Sequence, residues 1–333
     1  MNPKTALFIS ASVTLVILLV IAVFNYRVDP MCYYNCEKLD LTKRTRNHFY
    51  QIGQKVLAHP DAEIAILGSS RGQTTPLKWI EKREKLKVIN LSMGASELSA
   101  KIAFLNIALE KLKLKKVIWY ADYFELITDV ADAKIKNTPA LRAYLEEGFG
   151  ESNLSAKFSQ YLGLIDHNTL EASFYALNNS DQYELDRGSG WHLDDELCDS
   201  DEYIGEKTPH ELQKETGITY DTYSRNVLKK QQSPQAWSAF VKKLNALSEM
   251  GIEVLVLIPP YYPQFTIRLT KDFPEVIERH GQWIEKLKAL KISNVKVLDF
   301  FSGIPNDDKS VRYWNDGVHF TCKGAIEMLK SGI

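Results

Sequence analysis

The chain has no charge imbalance: its 41 Lys and Arg offset 42 Asp and Glu for a formal net charge of −1. No basic stripe with interleaved aromatics runs through it, which argues against a nucleic-acid partner. Cysteine is scarce, at 4 of 333 residues, and no Cys-x-x-Cys spacing is present to hold zinc. A glycine-rich phosphate cradle with its lysine is missing too. No metal, nucleotide or other cofactor is therefore expected. Internal repeats and low-complexity tracts are absent, and the apolar and charged fractions of 45% and 25% are those of an ordinary globular protein.

Charge is also missing from Thr5 to Tyr26. Leu7, Phe8, Ile9, Val13, Leu15 to Val20, Ile21 and Val23 make this run strongly apolar, and about 22 residues at ~1.5 Å each span a bilayer core. A cleaved signal peptide would have a shorter apolar core and a small-x-small site, which Ile21-Ala22-Val23-Phe24-Asn25-Tyr26 does not offer. The run reads as a membrane anchor, with residues 1–27 forming a cytoplasmic tip and transmembrane helix. Orientation is contested within the sequence. Lys4 precedes the span, whereas Arg27, Lys38, Lys43, Arg44 and Arg46 follow it, and the positive-inside rule on those residues would keep the large domain in the cytoplasm. That rule loses force before a long domain. Cys32 and Cys36, just past the span, are either a bridge suited to an oxidising compartment or two unlinked thiols. Cys198 and Cys322 read as buried thiols. The expected arrangement is a single-pass inner-membrane protein with its C-terminal domain outside the cytoplasm.

Residues 28–59 read as a stalk and lead-in helix, and residues 60–333 as the main domain. Strands are expected at Ile64 to Leu67, Lys87 to Leu91, Lys116 to Asp122, Glu253 to Ile258 and Val295 to Phe300. Helices are expected near Glu97 to Lys113, Pro234 to Met250 and Pro274 to Leu290. Parallel neighbours need helical crossovers, so the alternation predicts a three-layer α/β/α domain with about five parallel strands. From about 128 to 233 the pattern loses its regularity. A stretch this long is too large for a bare loop and is expected to form a mostly helical cap beside the site.

Two local patterns carry chemistry. Strand Glu63 to Leu67 runs into Gly68-Ser69-Ser70-Arg71, placing a hydroxyl at the carboxyl edge of a sheet, where open α/β folds build their sites. Asp316-Gly317-Val318-His319 puts a carboxylate and an imidazole three residues apart before a C-terminal helix. A serine is a weak nucleophile until an imidazole takes its proton, and the imidazole needs a carboxylate to fix its tautomer. Either pattern alone is commonly a plain loop. Together, at the two ends of one α/β pattern, they suggest Ser70, Asp316 and His319 as a catalytic set.

With these residues in place, the chain resembles the SGNH (GDSL-like) hydrolase superfamily, and within it membrane-anchored bacterial proteins of surface-polysaccharide O-acetylation and teichoic acid D-alanylation. The resemblance covers about residues 60 to 333 without the insertion. Gly68-Ser69-Ser70 matches the first family block with Ser70 as nucleophile, and Asp316, His319 and Gly324 match the last. Asn90 to Ser96 is similar to the second block, which implies Gly94, with the Ser70 amide, as an oxyanion donor. The third block normally supplies an asparagine donor, but this chain has Asp122 in Tyr120-Ala121-Asp122-Tyr123. Asp122 could donate only if protonated. Pairing with Arg71 would instead keep it ionised and structural, leaving Tyr123 as another possible donor.

The resemblance implies a membrane-anchored acyl-ester enzyme, an O-acetyltransferase or esterase acting on a surface polysaccharide, with other assembly proteins as possible partners. The alternative is a non-catalytic protein of the same fold that holds glycan or a partner in an export machine. A flavodoxin-like cofactor binder shares the sheet but leaves the Ser, Asp and His coincidence unexplained. Arg71, Tyr123, His192 and Tyr261 are candidate substrate contacts; the Trp191-His192 pair could equally be packing. His280, beside Glu278 and Arg279, reads as a solvated helix residue.

Overall fold

The computed structural model describes residues 2–30, 33–34, 52–128, 135, 138–145, 158, 161–178, 198, 207–226, 230–304 and 311–333. Cys32, Cys36, Trp191 and His192 lie outside the described residues, as does most of the expected lead-in helix. Helix α1 runs from Pro3 to Val28. Pro3 at the first helical position and the Asn2 side chain, which accepts from the Lys4 amide at 3.0 Å, start it. Asp29, in left-handed conformation at φ 39°, stops it, and its carboxylate accepts from the Tyr33 and Tyr34 amides. At 26 residues and with no charge between Thr5 and Tyr26, α1 is long and apolar enough to cross a bilayer.

The main domain follows as α2 (Ile52–Ala58), β1 (Ile64–Leu67), α3 (Ser70–Gln73), α4 (Leu77–Glu84), β2 (Val88–Asn90), α5 (Leu98–Lys111) and β3 (Lys116–Tyr120). Within the insertion come α6 (His167–Asn178) and α7 (Pro209–Asn226). The core resumes with α8 (Pro234–Glu249), β4 (Glu253–Ile258), α9 (Pro263–Asp272), α10 (Pro274–Lys288), β5 (Val295–Asp299) and α11 (Cys322–Leu329). The five strands form one parallel sheet in the order β2-β1-β3-β4-β5. All five expected strands are present, each within two residues of its expected ends. Short helices α3, α4 and α9, which no long apolar period announces, were not anticipated.

Because strand side chains alternate between faces, the sheet feeds two cores. Ala65, Leu67, Val117, Trp119, Val254 and Val256 pack with α5 and α8 on one side. Ile64, Ile66, Ile118, Tyr120, Leu255 and Leu257 pack with α4, α9 and α11 on the other. Near-continuous apolar runs such as Ile64–Leu67, buried at every position, are what a sheet covered on both faces requires. The result is the three-layer α/β/α architecture with the flavodoxin-like 2-1-3-4-5 strand order. Between β1 and β3 the order of connection reverses, opening a crevice at their carboxyl ends.

Two expectations are corrected. Cys198 and Cys322 are not free thiols but a disulfide that ties the insertion to the start of α11 across 124 residues of sequence. His280 is not solvated: it is 1% exposed, on the α10 face that also carries Val276, Trp283, Ile284 and Leu287. Its ring lies 4.0 Å from Tyr123 and 5.4 Å from Phe301 in stacked geometry, and Nδ1 bonds to the Val276 carbonyl at 2.9 Å. Burial outweighs that bond and pushes its pKa down to about 4.

Candidate active site

The turn after β1 is built around two glycines. A Cβ on Gly68 would lie 2.8 Å from the Gly72 Cα, and one on Gly72 would lie 2.3 Å from the Ser92 Oγ; only hydrogen fits at either position. This lets the loop after β2 press against α3, where the Met93 amide donates to the Gly68 carbonyl at 3.1 Å and Asn90 Nδ2 to the Gly72 carbonyl at 3.0 Å. Ser69 caps α3, accepting from the Arg71 amide, and donates its own hydroxyl to Asp122 Oδ2 at 2.7 Å. Its hydroxyl is committed to that bond, which leaves Ser70 as the serine facing the crevice.

Ser70 and His319 are 249 residues apart in sequence, yet Ser70 Oγ and His319 Nε2 are 2.7 Å apart. His319 Nδ1 is 2.7 Å from Asp316 Oδ2, and Asp316 Oδ1 accepts from the Val318 and His319 amides at 2.8 Å each. Burial would raise the Asp316 pKa, but the hydrogen bonds from the His319 ring and the two amides outweigh it and hold the carboxyl below its ordinary value. An ionised Asp316 fixes the tautomer in which Nδ1 carries hydrogen and Nε2 accepts from the Ser70 hydroxyl. The loop is tied at both ends: Thr74 donates to the Phe320 carbonyl at 3.2 Å, and the Tyr262 amide to the Gly317 carbonyl at 3.0 Å. Gly317 is required here, since a Cβ would meet Phe265 at 2.6 Å and Thr216 at 3.1 Å.

Asp122 is not an oxyanion donor. Its Oδ1 accepts from Arg71 at 3.1 Å, and its Oδ2 from Ser69, with Lys101 Nζ 3.7 Å away. Both oxygens face donors, so the carboxylate serves as an acceptor in a buried charge network. Arg71, 3% exposed, also donates to the Pro260 carbonyl and lies 4.9 Å from the centre of the Tyr261 ring. Lys101 pairs with Glu125 and donates to the Tyr120 carbonyl at 2.8 Å. Burial pushes Glu125 up to about 7 against the opposing pull of Lys101.

Arg71 and Tyr261 are thus framework beneath the nucleophile rather than surfaces for substrate. Tyr123 is framework too: its hydroxyl donates to the Lys230 carbonyl at 3.3 Å, and its ring packs on His280 and Trp283. Gly94 fares differently. It lies in the partly exposed turn after β2, and among the described residues neither its amide nor that of Ser70 donates to a backbone carbonyl.

The insertion reaches this site. Lys207 donates to the Asn315 carbonyl at 2.7 Å, and Tyr220 on α7 donates to Asp272 at 2.8 Å. Tyr223, one turn further on, lies within electrostatic reach of Asp122, Arg71, Tyr261 and Asp316, and burial raises the pKa of its hydroxyl. Tyr223 was not anticipated, because nothing local in an irregular polar stretch marks which of its side chains will come near residues so distant in sequence. The Cys198–Cys322 bridge also joins the insertion to the chain three residues beyond His319.

The fold and site together are a three-layer α/β/α domain with a Ser-His-Asp hydrogen-bonded chain at the carboxyl edge of its parallel sheet. No family model and no curated protein matches the chain. Among solved structures it is similar to one provisionally described as a platelet activating factor from Streptococcus pneumoniae, at 11% identity and a TM-score of 0.37, covering 84% of this chain and 89% of that one. It is also similar to one provisionally described as an acylhydrolase from Bacteroides fragilis, at 12% identity and a TM-score of 0.35, covering 80% of this chain and 84% of that one. At that similarity the functional reading rests on the residues themselves.

Proposed function

We propose that this protein is a membrane-anchored serine acyl-ester enzyme acting outside the cytoplasm, an O-acetyltransferase or esterase of a surface polysaccharide. The observation that carries the reading is the continuous Ser70–His319–Asp316 chain, with both links at 2.7 Å. Ser70 Oγ attacks the acyl carbonyl carbon while His319 Nε2 takes its proton. The carbonyl electrons move onto oxygen, which the Ser70 and Gly94 amides cradle. Collapse expels the donor alcohol, protonated by His319, and leaves an acyl-serine. A sugar hydroxyl or water, deprotonated by His319, then takes the acyl group and frees Ser70. The cap formed by α7 bears on which acceptor prevails, since an acyl-enzyme shielded from water is kept for transfer.

The disulfide supports an oxidising compartment for the domain, against the charge distribution around α1. The buried Asp122–Arg71 pair favours the second reading, a glycan-binding protein without turnover, because it engages the side chain that stands where the resemblance leads one to expect an oxyanion donor.

One experiment separates them: fluorophosphonate labelling and turnover of p-nitrophenyl acetate by the wild type, Ser70→Ala and His319→Ala. An enzyme labels at Ser70 and loses on the order of 10⁴-fold or more in turnover in either variant. A folded wild type that neither labels nor turns over is a binding protein. A C-terminal reporter fusion tests orientation, and a cytoplasmic result would remove the surface polysaccharide from the proposal.

A further inference from the structure

Outside α1, six of the nine large hydrophobic side chains that stand exposed among the described residues fall in one 20-residue stretch: Phe158, Tyr161, Leu162, Ile165, Phe174 and Leu177, between 38% and 66% exposed. These residues flank and form α6. On that helix Thr169, Ala172, Ser173 and Ala176 are buried, while Phe174 and Leu177 point outward. The stretch 161–178 contains Asp166 and Glu171 but no Lys or Arg, so nothing in its charge explains the exposed apolar face.

Its position does. The last turns of α1 dock on this part of the insertion: Asn25 Nδ2 donates to the Leu164 carbonyl at 2.8 Å, and the Phe24 and Phe174 rings are 5.2 Å apart. Asn25 and Val28 are buried at the junction, so the end of α1 packs directly against the insertion. When residues 5 to 26 occupy the hydrocarbon, Phe24 sits at its outer boundary, and Phe174 sits beside it at the same depth. The patch is therefore continuous with the lipid-facing surface of α1. Tyr26, 41% exposed, adds a ring at the level where aromatic residues anchor a span at the interface.

We infer that the α6 face of the insertion, Phe158 to Leu177, is seated in the bilayer interface, so that the domain holds a fixed attitude to the membrane instead of swinging on its anchor. Lipid acyl chains and glycerol backbones are the occupant. Lacking cations, the face binds by apolar burial and does not select anionic headgroups. The inference rests on α1 being a membrane span and is independent of the Ser70 chemistry.

The test uses the full chain in phosphatidylcholine vesicles with Phe174→Trp or Leu177→Trp. Each is read as the difference in emission from the wild type, whose own 6 tryptophans form the background, with circular dichroism confirming the fold. Because an interfacial face sits ~5–10 Å into the headgroup and acyl boundary, the added tryptophan is expected to lose on the order of half its emission in brominated lipid. It should also resist acrylamide and be indifferent to salt. Quenching by acrylamide and not by brominated lipid would mean that the face looks into water, and the proposal fails. Quenching by neither would mean that protein covers it, a partner or more of this chain, and the proposal also fails. Loss of the chain from vesicles in alkaline carbonate would remove the anchor itself, a failure distinct from a retained chain with an unquenched face. The two positions are tested separately, so a variant that misfolds leaves the other to decide.

Discussion

The buried Arg71–Asp122 pair predicts that Asp122→Asn, which restores the asparagine the resemblance leads one to expect, harms the protein. Both side chains are almost wholly buried, at 3% and 1% exposure, with 3.1 Å between charged atoms. At that distance and an effective dielectric of ~20 the attraction is about 5 kcal/mol. Replacing the carboxylate with an amide leaves Arg71 without its anionic partner, beside the Pro260 carbonyl and the Tyr261 and Phe320 rings, and breaking one side of a buried pair typically costs ~3–5 kcal/mol. For a domain of this size that is a fall in melting temperature of roughly 6–15 °C. Arg71 follows Ser70 directly, so the shift reaches the nucleophile and turnover falls although an amide donor has been added. The double variant Asp122→Asn/Arg71→Met removes the stranded charge and should recover most of the lost stability. The assay is thermal unfolding of the four proteins of the cycle, with ester turnover measured in parallel. If Asp122→Asn melted within a degree of wild type and turned over faster, the pair would contribute nothing and Asp122 would be a poor oxyanion donor after all.

Three further outcomes follow from the geometry. Gly317→Ala drives a methyl to 2.6 Å from Phe265 and should cost ~1–3 kcal/mol by overpacking, with turnover reduced because the same loop holds His319; an unchanged melt would show that Phe265 yields freely. His280 takes its proton near pH 4 in the folded chain and at an ordinary value of 6.5 when unfolded. Between those values the unfolded chain binds more protons, so stability declines as pH falls through that window, by ~3 kcal/mol in all. His280→Gln should flatten the decline measured by urea unfolding from pH 7 to 4.5, and an unaltered slope would assign it to other groups. Reducing the Cys198–Cys322 bridge frees a 124-residue separation, worth up to ~5 kcal/mol in chain entropy. The melting temperature should drop in reductant, and alkylation of both cysteines without prior reduction would rule the bridge out.

The sequence by itself determined what repeats locally or stays close along the chain. The five strands are visible as apolar runs bounded by turns because a strand buried on both faces must be apolar throughout. Asp316 and His319 are recognisable because three residues suffice to bring carboxylate to imidazole. Helix α1 is legible because 22 consecutive residues without charge, most of them apolar, stand out from any other part of the chain. His280 shares one helical stripe with Val276, Trp283 and Leu287, but its charged neighbours Glu278 and Arg279 suggest a solvated position, and only the packing of α10 shows it buried. What only the tertiary structure decided is which distant groups meet. The order β2-β1-β3-β4-β5 places the ends of β1, β3 and β4 side by side, and so joins Arg71 to Asp122 and to the Pro260 carbonyl, turning a presumed donor into an ion-pair partner. The same packing brings Tyr223 within electrostatic reach of Asp122 and Asp316, Cys198 to Cys322, and α6 to the end of α1. A side chain's pattern fixes the face it takes, but its partner is fixed by which elements become neighbours, and that depends on the packing of the whole chain.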